Sequence, residues 1–362
     1  MPERVLNFNP GPAALPLPVL EEAQSELLNF EGTGMSVLEI SHRSKEYEAI
    51  NSEAEALLKE LLGVPDNYRV LFLQGGASTQ FAAVPLNLTP HGATADYILT
   101  GSWAEKAYQE ASKFVSTHVA ASTKEGNYQR IPVPDEIKLS DSPAYVHLCS
   151  NNTIFGTQWQ SFPDFGTVPV IADMSSDILS RRIDAAKFAL IYAGAQKNLG
   201  PAGVTVVIIR NDLLEKVPAG IPTMLRYDIH AKNDSLYNTP PAFAVYMVNL
   251  VLRWLKNSGG LEVMEKRNAE KAGIIYAAID NSGGFYRGHA DKDSRSLMNI
   301  TFRLPSEELE KEFAAAASKE GLVGLKGHRS VGGIRASVYN AMSLEGCQAL
   351  AQFMAVFQSK NG

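Results

Sequence analysis

Three short apolar runs follow one another in the middle of this chain: Pro169-Val170-Ile171-Ala172, Leu190-Ile191-Tyr192-Ala193, and Val204 to Ile209. Runs this short and this continuous read as neighbouring strands buried within a sheet. The first ends in Asp173 and the second leads to Gln196-Lys197. In open α/β sheets ligands sit at the carboxyl ends of strands, so this acid and this amine are placed to face one pocket.

A lysine held beside apolar strands loses hydration of its ammonium form, and its pKa falls from about 10.4 toward neutrality. A neutral amine can form a Schiff base. The cofactor that suits an amine with a distant carboxylate is pyridoxal phosphate, whose aldehyde takes the lysine and whose ring nitrogen needs an anionic partner. Lys197 and Asp173 fit those two roles. The plainer alternative makes Lys197 a surface-loop lysine between Gly194 and Gly200, and Asp173 a helix cap. This stretch alone leaves both open.

A chain of 362 residues suits a large α/β unit with a smaller companion. Its 33 Lys and Arg against 39 Asp and Glu give a formal charge of -6, which argues against nucleic acid or an anionic membrane as main partner. Small-molecule chemistry fits better. No secretory, transit or membrane-spanning pattern stands out, and Cys149 and Cys347 alone make no disulfide framework or cysteine-based zinc site. The expected location is the cytoplasm.

Asn7 to Pro12 is donor-poor and extended, because each proline fixes its own φ and biases its predecessor away from helix; it is expected to lie across a surface. Helical spacing follows at Val19, Leu20, Ala23, Leu27 and Leu28, and again from Tyr47 to Leu61. Between them, Ser41-His42-Arg43 offers adjacent donors for an anion, or is an ordinary surface pair. Val70 to Leu73 predicts a strand. The following Gln74-Gly75-Gly76-Ala77-Ser78-Thr79-Gln80 predicts a phosphate cradle turning into a helix near Phe81, with neither dinucleotide nor P-loop spacing.

Trp103, after a strand at Ala95 to Thr100, could stack on a flat ring or fill the core. Tyr145 to Leu148 predicts a further strand, running into a polar loop that reaches Thr153. Strands alternating with helices through Arg210 predict a mostly parallel, doubly wound sheet. Tyr227 to Pro241 reads as loop and Ala242 to Asn257 as helix, with Gly259-Gly260 dividing a large unit, 1–258, from a small α+β unit, 259–362. In the latter, Gly327-His328-Arg329 and Arg335 add anion-binding groups, although Arg335 could equally sit in a surface ion pair.

Several stretches, in this order, resemble bacterial phosphoserine aminotransferases of the fold-type I pyridoxal phosphate family: NFNPGPAALP, GMSVLEISHRSKEYE, VLFLQGGASTQFAAVPLN, the aspartate in VIADMSS, YAGAQKNLGPAG, YNTPPAF and KGHRSVGGIRASVYNAM. The resemblance implies a seven-stranded-type sheet with a small C-terminal domain. It implies that Lys197 bonds the cofactor, Asp173 holds the ring nitrogen, Trp103 stacks on the ring, and Thr153 and Gln196 touch it. Ala77 and Ser78 would bind the cofactor phosphate, joined by Asn238 and Thr239 from the partner subunit of a homodimer. Arg335 would take the substrate α-carboxylate. His42, Arg43, His328 and Arg329 would surround the distal anion, the last two from the neighbouring subunit.

Ala77-Ser78 stands where some relatives have Gly-Arg, and Pro10 where some have serine, so the loop lacks one cation. The implied reaction exchanges the amino group of O-phospho-L-serine with 2-oxoglutarate. Whether 4-phosphohydroxythreonine is a second substrate stays open. A cysteine desulfurase or lyase of the same fold would need a reactive cysteine on a mobile loop. A catalytically silent anion binder would have no use for Lys197 beside Asp173.

Overall fold

The computed structural model describes residues 4–362. Seven strands form the central sheet: β1 (Tyr68–Leu73), β2 (Thr94–Leu99), β3 (Ser116–Ser122), β4 (Pro143–Cys149), β5 (Val170–Asp173), β6 (Leu190–Gly194) and β7 (Thr205–Arg210). Their order is β1-β7-β6-β5-β4-β2-β3. The three apolar runs are β5, β6 and β7, side by side and buried almost throughout. β6, β5, β4, β2 and β3 run parallel, whereas β7 is antiparallel to both of its neighbours. The reversal follows from the connection, since a turn without a crossover helix can join β6 to the adjacent β7 only in antiparallel sense. That turn carries Lys197.

Because β1 and β6 both oppose β7, the carboxyl ends of β1, β2, β4, β5 and β6 emerge on one edge. Helices cover both faces. α1 (Leu17–Glu26), α2 (Lys45–Leu62) and α5 (Ala242–Asn257) share one apolar core with the sheet, and α3 (Gly76–Leu88) and α4 (Ser102–Ala111) share the other. α2 starts where the Ser44 hydroxyl accepts the Tyr47 N–H at 3.3 Å and stops at Gly63, whose φ of 62° is left-handed.

Some local expectations fail for identifiable reasons. α1 ends at Glu26, and Leu28, read as its apolar face, is 85% exposed. α3 begins at Gly76 rather than near Phe81: the glycines, Ser78 and Thr79 read as loop are its N-terminal turn, capped by Gly75 at φ 92°. Tyr227–Lys232, read as loop, is a short helix. β3 has no counterpart in the sequence reading. It is an edge strand with only Ala120 and Ala121 buried, so it carries no apolar run to see.

The C-terminal part comprises α6 (Gly260–Asp280), the small sheet β8 (Arg287–Gly288), β9 (Asn299–Arg303) and β10 (Ile334–Ser337), α7 (Glu307–Lys319) and α8 (Leu344–Asn361). Leu261 and Met264 of α6 pack into the first core and Ala272, Ile275 and Ile279 into the C-terminal one, so this helix serves both. The N-terminal segment joins the same core. Leu6–Asn7 pairs in parallel with Leu322–Val323, and Phe8 is fully buried, worth about 1.5–3 kcal/mol. No helix among the described residues is long and apolar enough to cross a membrane.

Candidate active site

Lys197 sits in the β6–β7 turn, closed by the Ala195 N–H on the Val204 carbonyl at 3.0 Å. The turn is seated on α5, where a Cβ on Gly200 would stand 3.0 Å from Val248. Lys197 Nζ donates to Thr153 Oγ1 at 2.7 Å and lies 5.5 Å from the centre of the Trp103 ring. Burial lowers its proton affinity; Asp173 opposes the shift and Arg335 adds to it. The lysine is therefore directed inward, not a surface-loop residue.

Asp173 is the last residue of β5 and is 5% exposed. Its Oδ1 accepts the Ser175 N–H at 2.9 Å and the Ser175 hydroxyl at 2.6 Å. Oδ2 has no donor among the described residues, so the acid caps no helix and keeps one oxygen for a ligand. Burial pushes the carboxyl up, while Lys197 and the Ser175 bonds hold it down. Ser175 Oγ also accepts the Gly194 N–H at 3.1 Å, tying the aspartate to the strand that leads to Lys197.

Trp103 lies in the first turn of α4, with the Lys106 amine 4.4 Å from its ring centre. Its Nε1 is buried without a partner. At the end of β1, a Cβ on Gly75 would collide with the Thr79 hydroxyl, which donates to the Gly75 carbonyl at 2.9 Å. Only glycine fits there. The opening N–H groups of α3, at Gly76, Ala77 and Ser78, are left for an anion. Gln74 just before them donates to the Thr239 carbonyl at 3.0 Å and accepts from Asn238 Nδ2 at 3.2 Å. An anion cradle, an indole face, an amine and a carboxylate with a free oxygen stand at one sheet edge, which is the donor set pyridoxal phosphate requires.

Arg335 on β10 is 6% exposed. Its Nη1 donates to the Thr153 carbonyl at 3.2 Å and its Nε is buried without a partner. Burial lowers its proton affinity, and no acid pairs with it among the described residues. It is therefore no surface ion pair. Thr153 thus holds the lysine by its hydroxyl and the arginine by its carbonyl.

The two His-Arg pairs part company. His328 is pushed down by burial and by Arg335, Arg329 and Lys106 of its own chain, and Val331 packs beside Trp103, Tyr128 and Phe155. The 327–333 loop thus packs beside Trp103 and lies near Arg335 of its own chain. His42 has a buried Nε2 without a partner and Arg43 is exposed; neither side chain bonds to a residue of this site.

Sequence reasoning missed Ser175 and Lys106, and placed the N-terminal segment only on an unspecified surface. The spacing Asp-x-Ser after a buried strand was the available signal for Ser175, since such a pair closes a local turn. The N-terminal segment crosses the lysine turn. The Ala13 N–H donates to the Gln196 carbonyl at 2.9 Å, the Tyr339 hydroxyl donates to the Pro10 carbonyl at 2.7 Å, and a Cβ on Gly11 would stand 3.1 Å from Lys197 Cγ. Both cysteines are buried, and burial raises the Cys149 thiol and pushes Cys347 up to about 12, against thiolate chemistry.

The family model for class-V aminotransferases matches residues 5–350. A phosphoserine aminotransferase of Herpetosiphon aurantiacus is 62% identical over 99% of both chains. The structure of the phosphoserine aminotransferase from Bacillus circulans subsp. alkalophilus superposes with a TM-score of 0.98 at 61% identity, covering 99% of each chain. A pyridoxal phosphate-bound phosphoserine aminotransferase from Trichomonas vaginalis gives 0.94 at 42%, covering 97% of this chain and 100% of that one. With its fold-type I architecture and this site, the chain belongs to the class-V aminotransferases, among the phosphoserine aminotransferases.

Proposed function

We propose that this enzyme reversibly transfers the amino group between O-phospho-L-serine and 2-oxoglutarate, giving 3-phosphohydroxypyruvate and L-glutamate. One observation carries the reading: Arg335, buried and free of any acid among the described residues, is held at Thr153 beside Lys197, with the loop of His328 and Arg329 packed beside Trp103 of the same chain. Both substrates carry a carboxylate at the reacting carbon and a second anion farther out, and this arrangement receives both.

When bound, pyridoxal phosphate supplies a carbonyl for amine exchange and a ring that takes up the electron pair released at the α-carbon. Ala77, Ser78 and the start of α3 would hold its phosphate, Trp103 its ring face, and Thr153 and Gln196 its edge. Asp173 would keep the ring nitrogen protonated through Oδ2. Lys197, its amine made less basic by burial, takes the α-proton and returns it one position away as general base and acid. Arg335 orients the α-carboxylate, so that the proton to be moved faces Nζ.

The working unit is proposed to be a homodimer in the cytoplasm, with Asn238 and Thr239 reaching the partner's cofactor phosphate. His42 and Arg43, which serve no group of their own chain's site, are assigned to the partner's distal anion. A phosphorylated hydroxythreonine is a second candidate substrate. Transamination of phosphoserine, serine, aspartate and alanine with 2-oxoglutarate tests the reading. Phosphoserine should exceed serine by at least about two orders of magnitude in kcat/KM; equal rates would refute it.

A further inference from the structure

We infer that Arg303 and Glu310 are positioning residues that set the preference for a phosphorylated substrate, by fixing the loop that carries His328 and Arg329. This deepens the functional reading above and rests on it. The loop is a tight excursion whose ends are clamped together: Lys326 bridges Ile334, and the Gly327 N–H donates to the Gly333 carbonyl at 2.8 Å. Its tip folds on itself, with Val331 and Gly332 both donating to the His328 carbonyl at 2.9 and 2.8 Å. His328 Nδ1 shares a hydrogen bond with Ser330 Oγ at 2.7 Å. The bonds within the tip leave its direction relative to Arg335 to two outside contacts, the packing of Val331 beside Trp103, Tyr128 and Phe155 and a polar grip on its backbone.

The polar grip comes from below. Glu310 on α7 is the one glutamate buried among the described residues; one oxygen of its carboxylate serves the loop's return limb, and the other serves Arg303 and, at 3.4 Å, the Leu304 N–H. Oε2 accepts the Gly333 N–H at 3.0 Å, and Oε1 accepts Arg303 Nε at 2.5 Å. Arg303 Nη1 in turn donates to the Val331 carbonyl at 3.1 Å, so the pair grips the backbone on both sides of Gly332. The backbone lies directly on the arginine. A Cβ on Gly333, at φ 71°, would stand 2.7 Å from Arg303 Cδ and 2.8 Å from the Phe302 carbonyl.

Burying a carboxylate costs free energy unless its partners are well placed, and here the partners lead to the distal-anion loop and not to the reacting centre. Neither Arg303 nor Glu310 bonds to Lys197, Asp173, Thr153 or Trp103. Loosening the grip should therefore weaken recognition of the outer phosphate while leaving proton transfer at the lysine intact.

The test is Glu310→Gln, an isosteric change, in the cofactor-loaded enzyme. KM for phosphoserine should rise about tenfold with kcat at saturation unchanged within about twofold, and kcat/KM for alanine should stay within about twofold. The inhibition constant of inorganic phosphate should rise in proportion with the phosphoserine KM. Arg303→Lys, which keeps the charge but not the two-point grip, should shift the same quantities in the same direction, and it carries the test if the glutamine variant does not fold. Equal losses on phosphoserine and alanine, or an unchanged phosphoserine KM in a folded variant, would overturn the inference. A wild-type enzyme without preference for phosphoserine over alanine would instead overturn the functional reading beneath it.

Discussion

At the residue scale, the site turns on how Asp173 is kept charged in a place that disfavours charge. Burial raises its carboxyl, and the largest protein-side correction after the Lys197 charge is the pair of bonds from Ser175. Removing the hydroxyl in Ser175→Ala should raise that carboxyl further. A raised carboxyl is protonated at higher pH, and a protonated Asp173 no longer serves as anionic partner of a ring nitrogen. The acid limb of the kcat profile should accordingly move to higher pH, with the alkaline limb in place, and the absorbance of the bound cofactor should titrate with it. Ser175→Thr, which keeps the hydroxyl, should restore the profile; a uniform loss of rate at all pH values would instead mark Ser175 as a packing residue. Lys197→Ala is simpler: transamination should be abolished while the melting temperature of the cofactor-free protein stays close to wild type, and near-normal turnover would sink the assignment.

At the scale of elements, what was legible in the sequence was what repeats or is buried. β5, β6 and β7 are continuous apolar runs and were read as neighbours, and α5 was bounded at Ala242 and Asn257 as the structure bounds it. Asp173 and Lys197 were legible because each follows such a run. β3 was not, because only Ala120 and Ala121 of its seven residues are buried, and the start of α3 was hidden by glycines that read as loop. The reversal of β7 is a property of a connection, not of any residue. Also invisible was Lys271 on α6, which is 2% exposed and donates to the carbonyls of Val338, Tyr339 and Met342 at 3.0, 2.8 and 3.0 Å. Val338 and Tyr339 immediately follow β10, the strand that presents Arg335, and Met342 lies five residues beyond its end. Lys271→Met keeps the length of the side chain and leaves the Val338 and Met342 carbonyls without this donor, while the Tyr339 carbonyl keeps the Met342 N–H at 2.9 Å, so the stability measured by urea unfolding should fall by roughly 2–4 kcal/mol. A loss under about 0.5 kcal/mol would mean that water replaces the ammonium and that the strand end is held elsewhere.

At the scale of the whole molecule, the question is which pieces of a site come from which chain. The sequence resemblance drew all four members of the two His-Arg pairs to one distal anion and took His328 and Arg329 from the neighbouring subunit. The single chain places their loop beside its own Trp103 and Arg335, and leaves His42 and Arg43 without a bond to any group of that site. Mixed dimers separate the two assignments. In a heterodimer of a Lys197→Ala chain with an Arg43→Ala chain, the site that keeps its lysine belongs to the Arg43→Ala chain. If Arg43 reaches across, that site receives an intact arginine from its partner, and about half of the wild-type activity per dimer should return. In a heterodimer of Lys197→Ala with Arg329→Ala, the lysine and the missing arginine belong to the same site, and nothing should return beyond the residual rate of Arg329→Ala itself. The opposite result, recovery with Arg329→Ala and none with Arg43→Ala, would place the 327–333 loop in the neighbour's site despite its contacts within its own chain. Recovery with neither would mean that each site is built within one chain, and the unpaired His42 Nε2 would then need a partner inside its own fold.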